Sequence, residues 1–189
     1  MPLTTFLFDL DDTLFDHAGT ARAALAASTA HLPWQQPPAP EELYRRYSEL
    51  LEEMHPRVMA GQYSPREARL LRFQHLLAPY GVCTTAAEAD AFACFHYDQY
   101  QRLRQSVAGA RALLEALKPH YRLGIITNNR TAEQEEKLQF LGLDHLVDAL
   151  ITSEDVGVPK PDPQIFRVAL ARLGCAPAET VLVGEFEVR

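Results

Sequence analysis

Two carboxylates, Asp9 and Asp11, stand two residues apart where the apolar run Thr5-Phe6-Leu7-Phe8 meets the acidic stretch Asp9-Leu10-Asp11-Asp12-Thr13-Leu14-Phe15-Asp16. In extended geometry, residues two apart start from the same side of the chain, so this pair can share one ligand or one metal ion. Taken alone, the same residues also fit a strand that ends in an acidic, solvated turn. Two other places carry polar chemistry in a similar setting. Thr127-Asn128-Asn129 closes the apolar run Tyr121-Arg122-Leu123-Gly124-Ile125-Ile126, and Lys160 sits between Pro159 and Pro161. Thr127 on its own is equally a helix N-cap or turn residue. Lys160 on its own is a surface cation, but the two prolines restrict the backbone on both sides and aim its side chain.

The elements that must position these residues can be read from pattern. Thr5–Phe8 is apolar on both faces, as a buried parallel strand is, and open α/β sheets collect ligands just beyond the carboxyl ends of such strands. Residues 16–105 then read as about four helices. Ala18–Ala30 is alanine-rich, and Glu41–His55 spaces Leu43, Tyr47, Leu50, Leu51 and Met54 helically. Ser64-Pro65-Arg66-Glu67 opens a third helix with an N-cap, a proline at N1 and a glutamate at N3, and Thr85–Gln105 supplies a fourth. From about residue 106 the pattern alternates: helix 108–118, strand 121–126, helix 131–141, strand 147–151, helix 161–173 stopped by Gly174, and strand 180–184. This order predicts an α/β fold, a doubly wound parallel, Rossmann-like sheet. The core domain is discontinuous, residues 1–15 and 106–189, with a helical bundle domain, 16–105, inserted after the first strand.

Composition narrows the function classes. A net charge of −7 argues against a nucleic-acid polymer as partner, which needs a basic surface, so an anionic substrate must meet local cations. Cys83, Cys94 and Cys175 are odd in number and in no C-x-x-C pattern, which suggests neither a disulfide frame nor a zinc site. None of the seven histidines has a partner at metal-ligand spacing, and His96-Tyr97-Asp98 is read as structural on those grounds. No apolar stretch approaches transmembrane length and no signal-peptide pattern opens the chain, so the expectation is a cytoplasmic protein with no membrane partner.

Phe8-Asp9-Leu10-Asp11-Asp12-Thr13-Leu14-Phe15-Asp16 resembles the first motif of the haloacid dehalogenase-like superfamily. Ile125-Ile126-Thr127-Asn128 is similar to its second motif, and Val158-Pro159-Lys160-Pro161-Asp162 to its third. Three motifs in order at strand ends cover almost the whole chain, and the place of the insertion resembles the helical cap of the family's first subclass. The resemblance implies a Mg2+-dependent phosphatase acting on a small phosphorylated metabolite, similar to nucleotidase-like members. It casts Asp9 as the nucleophile that forms an aspartyl-phosphate, splitting one hard displacement into two. Asp11 is cast as acid and then base, Thr127 and backbone N–H groups near Asn128 as phosphoryl binders, and Lys160 as the charge that stabilises the transferring group. Asp9 and the Asp11 backbone carbonyl suit magnesium. Thr13 is expected to hydrogen-bond backbone or the Asp9 carboxylate, with Asp12 and Asp16 as turn residues. Asp155 is weighed as a partner of Lys160 or the metal against a solvated loop acid, and Arg45, Arg46, Arg66, Arg69 and Arg72 as substrate contacts against an ordinary charged helix face.

The fourth motif departs from the family. An acidic Gly-Asp with a second acid further on is expected, and Val183-Gly184-Glu185-Phe186-Glu187-Val188-Arg189 is present. Glu185 takes the place of the third metal ligand, its carboxylate displaced by about 1–1.5 Å through the extra methylene. The reading is of a core whose C-terminal part is missing, which leaves Val181-Leu182-Val183 as a sheet edge open to self-association. Three alternatives follow: a non-catalytic binding or regulatory protein on the same fold, a haloacid dehalogenase, and a phosphomutase. Expulsion of halide needs no acid at Asp11, so Asp11 favours phosphoryl transfer.

Overall fold

The computed structural model describes residues 2–83 and 85–184. It divides into two compact units, one of residues 1–17 and 105–189 and one of residues 18–104. The first unit holds a four-stranded parallel sheet of β1 (Thr5–Phe8), β2 (Arg122–Thr127), β3 (Ala149–Thr152) and β4 (Thr180–Val183), in the order β3-β2-β1-β4. β1 is central because it is apolar on both faces and finds a parallel neighbour on each side, with Phe8 opposite Ile125 of β2 and Val183 of β4. Among the described residues β4 is an outer strand of the sheet, and Val181 on it is 39% exposed.

Starting at His17 in this unit, α1 (His17–Thr29) leads into the helical unit. There α2 (Pro40–Met59), α3 (Pro65–Leu77) and α4 (Ala86–Arg102) follow. Capping boxes fix the starts of α3, Ser64 with Glu67, and of α4, Thr85 with Glu88. α2 runs on through Pro56, beyond the expected stop at His55. The proline removes the one bond its own N–H would have made to the carbonyl four residues earlier, but the turn after it still closes, with the Ala60 N–H donating to the Pro56 carbonyl at 2.9 Å. Leu25 of α1, Leu43, Tyr47 and Leu50 of α2, Phe73, Leu76 and Leu77 of α3 and Phe92 of α4 form one buried cluster, so the helical spacing read from sequence is the packing stripe.

In the sheet unit, α5 (Ala110–Leu117) precedes β2 and α6 (Thr131–Leu141) follows it. A short helix, α7 (Ser153–Val156), directly follows β3 and was not legible as a helix in the sequence. The Thr152 side chain accepts from the Asp155 N–H to start it and Gly157, at φ 82°, ends it. α8 (Pro163–Leu173) is capped by Asp162, whose side chain accepts from the Gln164 N–H. Its Ile165, Ala169 and Leu173 pack against Leu7, Ile126 and Ile151 of the sheet. These elements place the carboxyl ends of β1 and β2, and the loop after α7, where the polar residues stand. No helix among the described residues is long and apolar enough to cross a membrane.

Candidate active site

Asp9 is the first residue beyond β1. Its backbone N–H donates to the Val183 carbonyl at 2.9 Å, which continues the sheet pairing and holds the residue on the strand axis. Its Oδ1 accepts from the Leu10 N–H at 2.7 Å, and its Oδ2 lies 2.7 Å from Lys160 Nζ. The chain then turns tightly. Leu14 N–H and Phe15 N–H both donate to the Leu10 carbonyl, at 2.9 and 3.0 Å, and Asp12 takes φ 57°, a left-handed conformation that aspartate tolerates better than most residues. Leu10, Leu14 and Phe15 are buried, so the acidic stretch is a packed turn with its carboxylates held at one end.

Lys160 is held by its backbone. Asn128, one residue past β2, donates from Nδ2 to the Lys160 carbonyl at 2.9 Å and accepts at Oδ1 from the Lys160 N–H at 2.6 Å. One planar amide thus fixes both backbone polar groups of the lysine, while its ammonium reaches Asp9 with the side chain 13% exposed. α6 begins at Thr131, as the pattern predicts, with Arg130 as its N-cap, and the Asn128 side chain adds a role the sequence did not suggest, bracing Lys160. The same boundary removes the N-cap reading of Thr127.

Asp11 meets two residues that the sequence reading did not single out. Its Oδ1 is 2.7 Å from Lys137 Nζ and its Oδ2 accepts from Gln134 Nε2 at 3.0 Å. Gln134 Nε2 also donates to Thr127 Oγ1 at 2.8 Å. Both hydrogens of that amide are then used, and the Thr127 hydroxyl, accepting from it, keeps its own proton to donate. Gln134 and Lys137 are wholly buried, three residues apart on the inner face of α6. The signal in the sequence was there: Gln134, Lys137, Leu138 and Leu141 complete a helical i, i+3, i+4, i+7 stripe with two polar members.

Electrostatics follow from this pairing. Burial alone would raise the Asp11 pKa, but the Lys137 charge, His17, and hydrogen bonds from Lys137 and Gln134 outweigh it and hold the carboxyl below the ordinary aspartate value. Burial is the main influence on His17 and keeps its pKa below normal, opposed by the Asp11 charge. Asp9 with Lys160 and Asp11 with Lys137 make two adjacent ion pairs of opposite charges, so the carboxylates present little net negative charge.

Several expectations change. Thr13 Oγ1 is buried with no hydrogen-bond partner among the described residues, so it serves neither the backbone nor Asp9. Asp155 forms an ion pair with Arg172 of α8 and is not a partner of Lys160. Asp16 accepts from Gln105 Nε2 at 2.8 Å, a bond within the sheet unit that ties the turn to the segment before α5. In the helical unit, Arg45 pairs with Glu42 and Glu49, Arg46 with Glu49 and Arg66 with Asp90, all exposed. Arg69 lies 3.8 Å from the Tyr97 ring centroid. Arg72 departs from that ordinary face, 8% exposed with its guanidinium 5.0 Å from the Tyr47 ring centroid. Cys83, Cys94 and Cys175 are free thiols.

Magnesium binding can be tested on the donors present. The Asp9 carboxylate is 20% exposed, and the Asp11 backbone carbonyl lies in the tight turn just after it. These are two hard oxygen donors two residues apart, which suits an ion that takes few protein ligands and fills its shell with water and phosphate oxygens. Glu185, the third expected ligand, lies outside the described residues, and no cluster of three or more His, Cys, Asp or Glu is found among those described.

Asp9 thus stands at the tip of the central parallel strand of an α/β fold, with Thr127 at the end of β2 and Lys160 in the loop after α7. The model of the haloacid dehalogenase-like hydrolases matches residues 3–185, and the chain belongs to that family. It is 33% identical to a glyceraldehyde 3-phosphate phosphatase of Methanothermobacter thermautotrophicus, over 96% of this chain and 76% of the relative. It is 30% identical to a phosphoserine phosphatase of Thermus thermophilus, over 95% and 79%. Among solved structures it is similar to the HAD-hydrolase YfnB of Bacillus subtilis bound to magnesium, with a TM-score of 0.71 and 24% identity, covering 98% of this chain and 79% of that one. That likeness concerns the fold.

Proposed function

We propose that this hydrolase removes the phosphoryl group from a small phosphate monoester through an aspartyl-phosphate on Asp9. The observation that carries the reading is the arrangement of Asp9, Lys160 and Asp11: a carboxylate at the strand tip, an ammonium 2.7 Å from one of its oxygens, and a second carboxylate two residues on. Relatives named as phosphatases of glyceraldehyde 3-phosphate and phosphoserine support a small phosphorylated metabolite as substrate.

In the first half-reaction an Asp9 oxygen attacks phosphorus, the bond to the leaving oxygen breaks, and Asp11, which must first take up a proton from solvent against the pull of Lys137, passes that proton to the departing alkoxide. In the second, water attacks the same phosphorus, its proton passes to the Asp11 carboxylate, and the bond to Asp9 breaks to release phosphate. Lys160 faces the negative charge that spreads over the phosphoryl oxygens, and the Thr127 hydroxyl donates to one of them. The donors that would hold magnesium are the Asp9 carboxylate and the Asp11 carbonyl. When bound, the ion would neutralise phosphate charge near two carboxylates. The presence of Asp11 favours this reaction over halide expulsion, which leaves nothing to protonate.

Phosphate release would be measured on a panel of sugar phosphates, phosphorylated amino and hydroxy acids, nucleotides and p-nitrophenyl phosphate, with and without magnesium. Magnesium-dependent turnover of at least one ester, lost in Asp9→Asn, is the expected result. Full turnover by Asp9→Asn, or none of the panel hydrolysed by the parent chain, would overturn the proposal.

A further inference from the structure

We propose that Lys137, together with Gln134, is a positioning residue of the phosphoryl-transfer site that sets the orientation of the Asp11 carboxylate. The inference rests on the reading of Asp11 as the proton donor and acceptor. Each Asp11 oxygen has its own donor from α6, Lys137 Nζ at 2.7 Å and Gln134 Nε2 at 3.0 Å. A carboxylate gripped at both oxygens cannot rotate about its terminal torsion, so its plane is fixed relative to the strand tip. Gln134 extends the grip to Thr127 Oγ1 at 2.8 Å, which ties the orientation of the proton-transfer group to that of a phosphoryl-binding hydroxyl.

Stability does not explain these residues. Lys137 is 1% exposed, and its ammonium lies 5.0 Å from the Phe15 ring centroid. Its other acid, Glu133, is more distant at 3.5 Å and 45% exposed. Taking an ammonium out of water is costly, and exchanging a buried ion pair for apolar residues of similar volume is often neutral or stabilising. A leucine at 137 would continue the stripe of Leu138 and Leu141 on α6. A buried lysine aimed at a carboxylate two residues from the nucleophile is instead what proton transfer to a fixed point requires, since a misplacement of about 1 Å can cost roughly 10²-fold in rate.

The test compares Lys137→Met, Gln134→Leu and Asp11→Asn in the magnesium-loaded protein, on an alkyl phosphate and on an aryl phosphate whose phenolate leaves without help. The alkyl ester should lose about 10- to 100-fold in kcat in either α6 variant and the aryl ester several-fold less, with KM for both nearly unchanged. In the Asp11→Asn background the alkyl loss from Lys137→Met should shrink to within about 2-fold, because the group being positioned is gone. Equal losses on both esters, or an undiminished loss in the Asp11→Asn background, would show that Lys137 only packs α6 and would overturn the inference. Circular-dichroism melts accompany each variant. If Lys137→Met does not fold, Gln134→Leu decides by the same ratio. Failure of the parent chain to hydrolyse either ester would instead strike the phosphatase reading itself.

Discussion

Lys160 Nζ lies 2.7 Å from Asp9 Oδ2, and the lysine's own backbone is clasped from both sides by the Asn128 side chain at 2.9 and 2.6 Å. The cation is therefore positioned from its root, and its partner is the proposed nucleophile. Lys160→Met is expected to lower kcat by about 10²- to 10³-fold, the range for loss of one donor that faces developing charge. Lys160→Arg should recover little, because the guanidinium is larger and carries its donors in a rigid fork. Steady-state kinetics on one ester read this directly, and a kcat within a few-fold of the parent would remove Lys160 from the site.

Asn128→Ala tests the root of that arrangement. The Lys160 N–H and carbonyl lose a shared partner while the ammonium itself is untouched, so the fall in kcat should be about 10-fold, smaller than for Lys160→Met. In the Lys160→Met background it should add nearly nothing. An additive loss would mean that Asn128 acts on the substrate separately.

Asp11→Asn is expected to slow alkyl phosphates far more than aryl phosphates, since general acid catalysis is worth about 10²- to 10⁴-fold and a good leaving group needs less of it. The ratio of the two losses, measured at saturating magnesium, is the readout. A ratio near one would assign Asp11 another role.

How much of this was legible in the sequence depends on what each residue needs from its neighbours. Asp9, Asp11, Thr127 and Lys160 stand at the ends or beyond the ends of apolar strand runs, and local pattern suffices to place them there. The four long helices of the insertion follow from their apolar stripes and from capping residues such as Ser64 and Thr85. Gln134 and Lys137 were missed because their roles depend on Asp11, more than 120 residues away in sequence and adjacent only after the sheet has formed. Thr13 failed for the opposite reason: a hydroxyl in a turn is expected to find backbone, and the packing of Leu10, Leu14 and Phe15 leaves it without a partner. The short α7 has one turn only, too brief for any periodicity to register.

Gly124 in β2 marks a close approach. A Cβ there would lie 2.7 Å from Leu173 Cδ1 and 2.8 Å from Leu7 Cδ2, both buried side chains of the sheet unit. Gly124→Ala should destabilise the protein by about 1–3 kcal/mol through overpacking between β2 and α8. Urea unfolding would show the loss, and Leu173→Ala added to Gly124→Ala should cost less than it does in the parent chain. An unchanged midpoint for Gly124→Ala would mean that the two leucines can move aside freely.

His96 on α4 gives the helical unit a dependence on pH. Its ring is 2% exposed, with centroids 4.6 Å from Phe73 and 5.5 Å from Tyr47, and its Nε2 has no hydrogen-bond partner among the described residues. Burial, with smaller contributions from the Arg72 and Arg69 charges on α3, pushes its pKa down to about 3 from 6.5. Below pH 6.5 the unfolded chain therefore binds a proton that the folded chain refuses, so this histidine's contribution is fully present above pH 6.5 and is lost as pH falls toward 3. The slope is about 1.4 kcal/mol per pH unit within that window. Replacing His96 with leucine removes the titrating group and keeps an apolar side chain in the same cluster. Urea midpoints at pH 7.5 and pH 5.0 should then show a smaller loss on acidification in His96→Leu than in the parent, by roughly 2 kcal/mol from the same slope. The difference should vanish when both proteins are compared between pH 7.5 and pH 8.5, where the histidine is neutral in both states. Parallel loss in the two proteins between pH 7.5 and 5.0 would show that the acid sensitivity comes from other groups.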